Sequence, residues 1–250
     1  MRKVKLFAAL LLLSFIGIQV HAETKEPALS SAPPNPAFTQ FQKQVKMGKT
    51  ESLTKEWNGL GEIPEPIDRS YLDKLYAASE KESSSADALP SSYDLRTTGR
   101  LPEVRNQGSC GSCWTFASLG SLESGMLPGE SWDFSENNMK NTHGYLYSPC
   151  FGGNKTMASA YLLRWSGPVL ESDDPYSQSD VNDSLFFNPA KHVQNIYWIP
   201  ATASSLKQAI MSHGAVHVSM FWNPTNVGYN ATYSSYYYQT PTSTNHAVAL

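Results

Sequence analysis

The three cysteines of the chain place the strongest constraint on what it can fold into. Two of them, Cys110 and Cys113, lie close together in QGSCGSCW, and the third is Cys150. A thioredoxin-like redox pair would need a strand before the C-x-x-C motif and a βαβ pattern around it. A zinc site would need Cys150 and His143 as further ligands. The chain offers no convincing strand there and no second close pair of ligands, which favours a third interpretation in which Cys110 and Cys113 have separate roles.

Residues 1–22 have the features of a signal peptide. Three basic side chains precede an apolar run from Leu6 to Val20, and small residues occupy both positions that signal peptidase reads. The alternative is a membrane anchor, but the run is short for a bilayer span, which needs about 20 apolar residues. We therefore expect a mature chain that begins at Glu23 and is secreted or held at the cell surface, with no membrane span after signal removal. Disulfides persist in that environment.

Charge and composition exclude some partners without naming a function. The formal net charge is −3 and the basic residues are scattered along the chain, which argues against nucleic acid or an anionic membrane surface as a partner. We expect no cofactor and no metal.

Residues 23–88 differ from the rest of the chain. They are rich in Pro, Ser, Lys and Glu and contain no cysteine, and 81–87 resemble a polar linker. The stretch is either a disordered spacer or a propeptide. Its place between a signal peptide and a cysteine-bearing region favours a propeptide and linker, followed by a domain at 89–250.

Helical patterns come first in that domain. Ser112 can cap a helix that begins at Cys113 and ends near Gly125. Its predicted buried face comprises Phe116, Leu119 (or Gly120), Leu122 and Met126. Further helices are predicted at 157–165 and 205–212.

Strand patterns follow the helices. Apolar and polar side chains alternate along 216–221, as a half-buried strand requires, and 233–238 and 246–250 are further strand candidates. Helices followed by strands predict an α+β fold with two segregated halves.

Segments in the same order along 89–250 resemble those of the papain-like cysteine peptidases. They are LPSSYDLR, RNQGSCGSCWTFA, SPCFGG, GPVLESDDPYS, LKQAIMSHGAVHVSM and TNHAVAL. The resemblance implies a papain-like two-lobed fold, with a helical left lobe and an antiparallel β right lobe. It also implies an exported cysteine endopeptidase that acts on proteins or peptides by acyl transfer. The alternative is a non-catalytic surface or adhesion scaffold, because a fold does not ensure activity.

The same resemblance assigns catalytic roles. It implies that Cys110 and Cys150 form a disulfide and that Cys113 is the nucleophile, which forms a thioester. It makes His246 the general base and later the general acid. Gln107 is expected to supply an oxyanion donor, although a glutamine in this position could be an ordinary loop residue.

Substrate binding is assigned by resemblance too. Glycines would allow the substrate main chain to approach closely, although Gly-Gly is also common in plain turns. A lysine in the second specificity pocket would favour an acidic side chain, unless it points into solvent. The predicted residues are Gly152, Gly153, Asn154, Lys155, Ser219 and Asn245, with Thr244 beside Ser219.

The chain also departs from the family. The asparagine that should orient His246 is expected further along, but the sequence ends at Leu250. We therefore expect a fragment that lacks the C-terminal part of the right lobe, the alternative being an inactive natural truncation. The segments GLGEIPEPIDRSYL, SENNMKN and WSGPVLESDDPY resemble bacterial surface peptidases of this group, some of which carry a lectin-like or anchoring domain downstream.

Overall fold

The computed structural model describes residues 31–49, 60–72, 89–182, 186–223, 225, 227–239 and 243–250. The expected signal peptide, and the linker at 81–87, lie outside these residues. The chain divides into the units Met1–Ser31 and Ala32–Leu250, and everything below concerns the second. No helix among the described residues is long and apolar enough to cross a membrane.

The helices precede the strands in the domain at 89–250, as the sequence predicts. Helix α1 (Pro36–Lys46) comes before this domain, and the helices within it are α2 (Cys113–Met126), α3 (Glu136–Thr142), α4 (Lys155–Leu163) and α5 (Ala203–His213). The strands are β1 (His217–Met220), β2 (Tyr229–Asn230), β3 (Ser235–Tyr236) and β4 (His246–Ala249).

Helix α2 is the centre of the fold because it contacts α3 and α4 as well as β1 and β4. Packing on several sides explains why burial on α2 extends beyond the predicted apolar stripe. Leu119 is fully buried, whereas Leu122 and Met126 are only partly covered. Polar residues such as Thr115 and Glu123 are buried on the same helix. A helix enclosed by other elements need not be amphipathic.

The predicted cap of α2 is wrong. Ser112 stands at the N-cap position, but its side chain makes no capping hydrogen bond. Its hydroxyl lies 2.7 Å from the hydroxyl of Tyr176, which in turn donates to the carbonyl of Gln107 at 2.7 Å. The serine therefore fixes the loop before the helix and does not cap the first amides of α2.

Two small antiparallel sheets follow the helices. In the first, β1 pairs with β4, and Met220 faces His246. In the second, β2 pairs with β3, and Tyr229 faces Tyr236. The strand predicted at 233–238 is reduced to Ser235–Tyr236, and exposed tyrosines surround it.

The described parts of 23–88 pack against the core. Phe41 of α1 is 3% exposed, and its ring lies 5.9 Å from Tyr147 and 6.0 Å from Phe151. Ile63 is 2% exposed and belongs to the same cluster. These residues are bound to the domain, and they do not behave as a spacer.

His143, considered above as a possible zinc ligand, is a buried residue. It follows α3, is 3% exposed and packs edge-on against Trp114, with the ring centroids 6.0 Å apart. Burial lowers the pKa of its imidazole to about 4, so we assign it to the core.

Candidate active site

A disulfide joins Cys110 to Cys150 and fixes the entrance to α2. The amide of Gly111 donates to the carbonyl of Cys150 at 3.2 Å. A Cβ on Gly111 would lie only 2.4 Å from that oxygen, so the close approach requires glycine. Because Cys150 is bound to Cys110, neither the redox pair nor the zinc set applies, and Cys113 remains as the free thiol.

Cys113 is the first residue of α2, and its side chain is buried. The amide of Ala247 in β4 donates to Sγ at 3.4 Å. Burial raises the pKa of the thiol, and the hydrogen bond from Ala247 opposes that change only in part. Burial therefore disfavours the thiolate in this covered state.

His246 directly precedes Ala247, whose amide donates to Sγ of Cys113, and it pairs with Met220 between β1 and β4. Its Nδ1 is buried and has no hydrogen-bond partner within the described part of the chain. Burial lowers the pKa of the imidazole. A neutral imidazole with a free ring nitrogen is suited to accept a proton.

Gln107 lies in the loop before the disulfide and faces the cleft. Its Nε2 donates to the carbonyl of Leu60 at 3.0 Å and to the carbonyl of Cys110 at 2.9 Å. One hydrogen bond thus holds the side-chain amide to its own loop, and the other joins it to Leu60, which lies in the cleft.

Residues 60–64, which we call the cleft segment, occupy the groove above Cys113. The amide of Gly153 donates to the carbonyl of Gly61 at 2.9 Å, and the amide of Ile63 donates to the carbonyl of Gly153 at 3.0 Å. The amide of Glu62 donates to the carbonyl of Asn245 at 3.3 Å. The segment is therefore bound through its main chain from both walls of the groove.

Both glycines of the Gly-Gly turn are required by close contacts. A Cβ on Gly152, whose φ is +131°, would lie 2.7 Å from the carbonyl oxygen of Gly61. A Cβ on Gly153 would lie 2.3 Å from Cε2 of Trp114. The turn thus packs against the core on one side and against the cleft segment on the other.

The asparagines among the predicted substrate-binding residues act mainly as local supports. The side chain of Asn154 caps α4 by accepting from the amide of Met157 at 3.0 Å, and it donates to the carbonyl of Pro64 at 2.9 Å. The side chain of Asn245 binds both main-chain groups of Trp222, at 2.7 and 3.0 Å. Each of them also contacts the cleft segment, Asn245 through its carbonyl.

Lys155, Ser219 and Thr244 surround the side chain of Glu62, and we call this set the Glu62 pocket. The ammonium of Lys155 donates to the hydroxyl of Ser219 at 3.1 Å. Lys155 is therefore directed into the groove, and the alternative in which it points into solvent is wrong.

Sequence reasoning placed the cleft segment in the expected propeptide but missed that it occupies the groove. Its sequence, LGEIP, is short and lacks cysteine and histidine, so it carries no chemical motif. The available signal was the pair of apolar residues Leu60 and Ile63 around Gly61. That signal indicates a contact but not its partner.

The profile of the papain family cysteine proteases matches residues 89–250. The chain therefore belongs to the papain family of cysteine proteases.

Two curated relatives illustrate the similarity. The chain is 31% identical over 164 residues to cysteine proteinase 1 of Zea mays, covering 60% of this chain and 41% of that protein. It is 32% identical over 179 residues to pro-cathepsin H of Mus musculus, covering 64% of this chain and 50% of that protein. The chain thus spans half or less of the length of these relatives.

A solved structure supports the fold. The cysteine protease and lectin-like domains of Cwp84, a surface layer associated protein of Clostridium difficile, superpose with a TM-score of 0.60 at 24% identity. The match covers 88% of this chain and 47% of that chain. The predicted papain-like α+β fold is confirmed.

Proposed function

We propose that this chain is the catalytic part of an exported cysteine endopeptidase, and that residues 23–88 include its propeptide. One observation carries the proposal. The free thiol of Cys113 lies at the start of α2, in contact with the amide that follows His246, under a groove in which Gln107 holds a main-chain carbonyl.

The proposed reaction begins when His246 takes the proton of Cys113. The N-terminus of α2 favours the negative charge of the thiolate. The sulfur attacks the peptide carbonyl carbon, and the resulting oxyanion is stabilised by Nε2 of Gln107 and the backbone amide of Cys113.

The intermediate then collapses to a thioester. The C–N bond breaks, and His246 gives its proton to the leaving amine. Water, deprotonated by His246, attacks the thioester carbonyl. The C–S bond breaks, the acid product leaves, and Cys113 regains its thiol.

The cleft segment accounts for a latent state. Burial of the nucleophile and the charge of Glu62 in this segment raise the pKa of the Cys113 thiol, and burial lowers the pKa of His246. Both changes oppose the thiolate–imidazolium pair. The main-chain hydrogen bonds of Gly153 go to the residues on either side of Glu62, as in a pair of parallel strands. A substrate that runs in the opposite direction would instead form both hydrogen bonds with Gly153 through a single residue.

Export and substrate class complete the proposal. The signal-peptide pattern of residues 1–22 supports secretion or attachment at the cell surface. Membership of a protease family supports protein or peptide substrates. A lectin-like domain accompanies the protease domain in Cwp84, and a comparable domain outside this chain is part of the hypothesis.

Active-site labelling tests the proposal. The complete protein, as its gene encodes it, is freed of its propeptide and treated with a peptidyl epoxysuccinate, and the adduct is mapped by mass spectrometry. We expect a single adduct on Cys113, absent from Cys113→Ala, and an intact Cys110–Cys150 bridge. A folded, propeptide-free protein that takes no label and cleaves no peptide would instead support the scaffold function.

A further inference from the structure

The Glu62 pocket holds a buried carboxyl group in a polar environment. Glu62 is 4% exposed, and its carboxyl group faces the hydroxyls of Ser219 and Thr244 and the positive charge of Lys155. One carboxyl oxygen, Oε2, has no hydrogen-bond partner within the described residues. A buried polar group of this kind is costly unless the surrounding groups compensate for its lost hydration.

The pocket is assembled from separate elements of the domain. Lys155 is the first residue of α4, Ser219 lies in β1, and Thr244 comes just before β4. The bond from Lys155 to Ser219 keeps the ammonium directed across the groove. These groups come from the domain, and only Glu62 comes from the cleft segment.

The position of Lys155 itself calls for a negative partner. A cation at the first turn of a helix meets the positive end of the helix dipole, which is unfavourable. The other carboxylate of this region, Glu65, bonds to Thr156 and Arg69 instead. Glu62 is thus the carboxyl group that enters the space in front of Lys155.

Glu62 occupies the place that a substrate residue would take. It is the residue opposite Gly153, with main-chain hydrogen bonds on either side of it. Residues that pair across two strands project their side chains to the same face in either strand direction. A substrate residue that pairs with Gly153 would therefore place its side chain in the Glu62 pocket.

We propose that the Glu62 pocket is a specificity site for a glutamate side chain in the substrate residue that pairs with Gly153, and that Lys155 and Ser219 determine this preference. The inference rests on the proposed peptidase function and names its substrate class. An apolar side chain would leave the ammonium and the hydroxyls desolvated without an acceptor, which is how polar sites reject analogues that lack the polar group.

The first test does not require turnover. In the complete protein, the rate of Cys113 alkylation by iodoacetamide reports how firmly the cleft segment is bound. At pH 4.5, where the bound carboxyl group is protonated, we expect Glu62→Leu to raise this rate at least fivefold and Glu62→Gln, which keeps a hydrogen-bond acceptor, to change it less than twofold. Lys155→Met should also raise it, whereas Lys207→Met on the exposed face of α5 should not. Circular dichroism and the thermal midpoint verify that each variant folds.

An apolar pocket would give the opposite result. Leucine would then fit at least as well as glutamate, and Glu62→Leu would protect Cys113 as well as the wild type does or better. That result would overturn the inference whether or not the protein is an enzyme.

The second test uses the propeptide-free enzyme and peptides varied at the position that pairs with Gly153. We expect kcat/KM to be at least tenfold higher for glutamate than for leucine, and Lys155→Glu to shift the preference to lysine or arginine. Cleavage with a preference for leucine would refute the glutamate pocket but leave the peptidase function intact. Failure to cleave or label would refute the peptidase function, and the alkylation result would still decide the nature of the pocket.

Discussion

At the scale of single residues, Gly153 has room for a hydrogen atom and nothing larger. A Cβ there would lie 2.3 Å from Cε2 and 2.6 Å from Cδ2 of Trp114, which is fully buried. Because the indole cannot move without disturbing the core, we expect Gly153→Ala to lower the free energy of unfolding by about 1–3 kcal/mol. Chemical denaturation measures the loss.

The matched control is Gly129→Ala, in an open turn. The nearest atom to a Cβ there is the carbonyl oxygen of Met126 at 3.6 Å, an ordinary contact. We expect a change within about 0.5 kcal/mol. Equal losses in the two variants would mean that the contact with Trp114 is not the cause.

Gln107 should affect the rate of the chemical step and not the thiol itself. Its Nε2 already donates to a carbonyl in the cleft at 3.0 Å, where we place the oxyanion. Losing one oxyanion donor typically lowers kcat by about 10²–10³-fold. We therefore expect Gln107→Ala, measured on the propeptide-free enzyme, to lose kcat on this scale while Cys113 alkylation is unchanged.

A control for this variant is Gln194→Ala. Gln194 is exposed, and its side-chain amide donates to the carbonyl of His192 at 3.4 Å. It should retain wild-type kcat. If Gln107→Ala kept kcat within threefold of the wild type, Gln107 would be an ordinary loop residue.

At the scale of structural elements, binding of the cleft segment should depend on pH. Burial, the largest cause, raises the pKa of Glu62 to about 7, although Ser219 and Lys155 oppose it. The charges that act on this carboxyl are those of Lys155 and Glu65, and the Cys113 thiol lies within its electrostatic reach. A raised carboxyl pKa means that the bound state retains a proton which the released segment loses.

The segment should therefore bind most tightly below pH 4.5, weaken as the pH rises towards 7, and change little above that. One pKa unit corresponds to a factor of ten, so the weakening between pH 5 and pH 8 should reach roughly a hundredfold. The measurement is Cys113 protection at each pH, taken as a ratio to Glu62→Gln to remove the intrinsic titration of the thiol. A ratio that does not vary with pH would contradict the assignment.

The elements differ in how well the sequence predicts them. The helix at 205–212 and the strand at 246–250 follow from local periodicity, and the structure places α5 and β4 there. The cap by Ser112 fails because Tyr176, distant in sequence, competes for the hydroxyl. The position of the cleft segment could not be predicted for a similar reason, because it is set by hydrogen bonds to Gly153 and Asn245, which are distant in sequence.

At the scale of the whole molecule, a buried charged cluster connects the loop before α2 to the two helices that follow. Arg105 contacts Glu123 of α2 at 3.6 Å and Glu136 of α3 at 3.2 Å, and it also pairs with Asp133. Glu123 and Glu136 are each 3% exposed. The cluster thus ties the loop that leads to the nucleophile to helices α2 and α3.

The cluster makes the stability of the molecule pH-dependent. Burial raises the pKa of Glu123 to about 7 and that of Glu136 to about 8, above their ordinary value of 4.5, while Arg105 opposes the change. The folded state therefore holds more protons than the unfolded state between pH 4.5 and 8, and these two groups favour folding less as the pH rises. We expect the free energy of unfolding, from urea denaturation, to be lower at pH 9 than at pH 6. Equal values would contradict the assignment.

Arg105→Met should reveal the same cluster by removing its cation. At pH 8 Glu123 is largely ionised and Glu136 about half ionised, so the cluster would lose its compensating charge, and breaking a buried pair of this kind costs roughly 3 kcal/mol. At pH 5 both groups are protonated in the folded state, so the loss should be smaller. The control, Arg96→Met, removes an exposed arginine that pairs with Asp94 and should leave the unfolding midpoint unchanged at either pH. A loss that was the same at pH 5 and pH 8 would mean that Arg105 acts through packing of its stem and not through its charge.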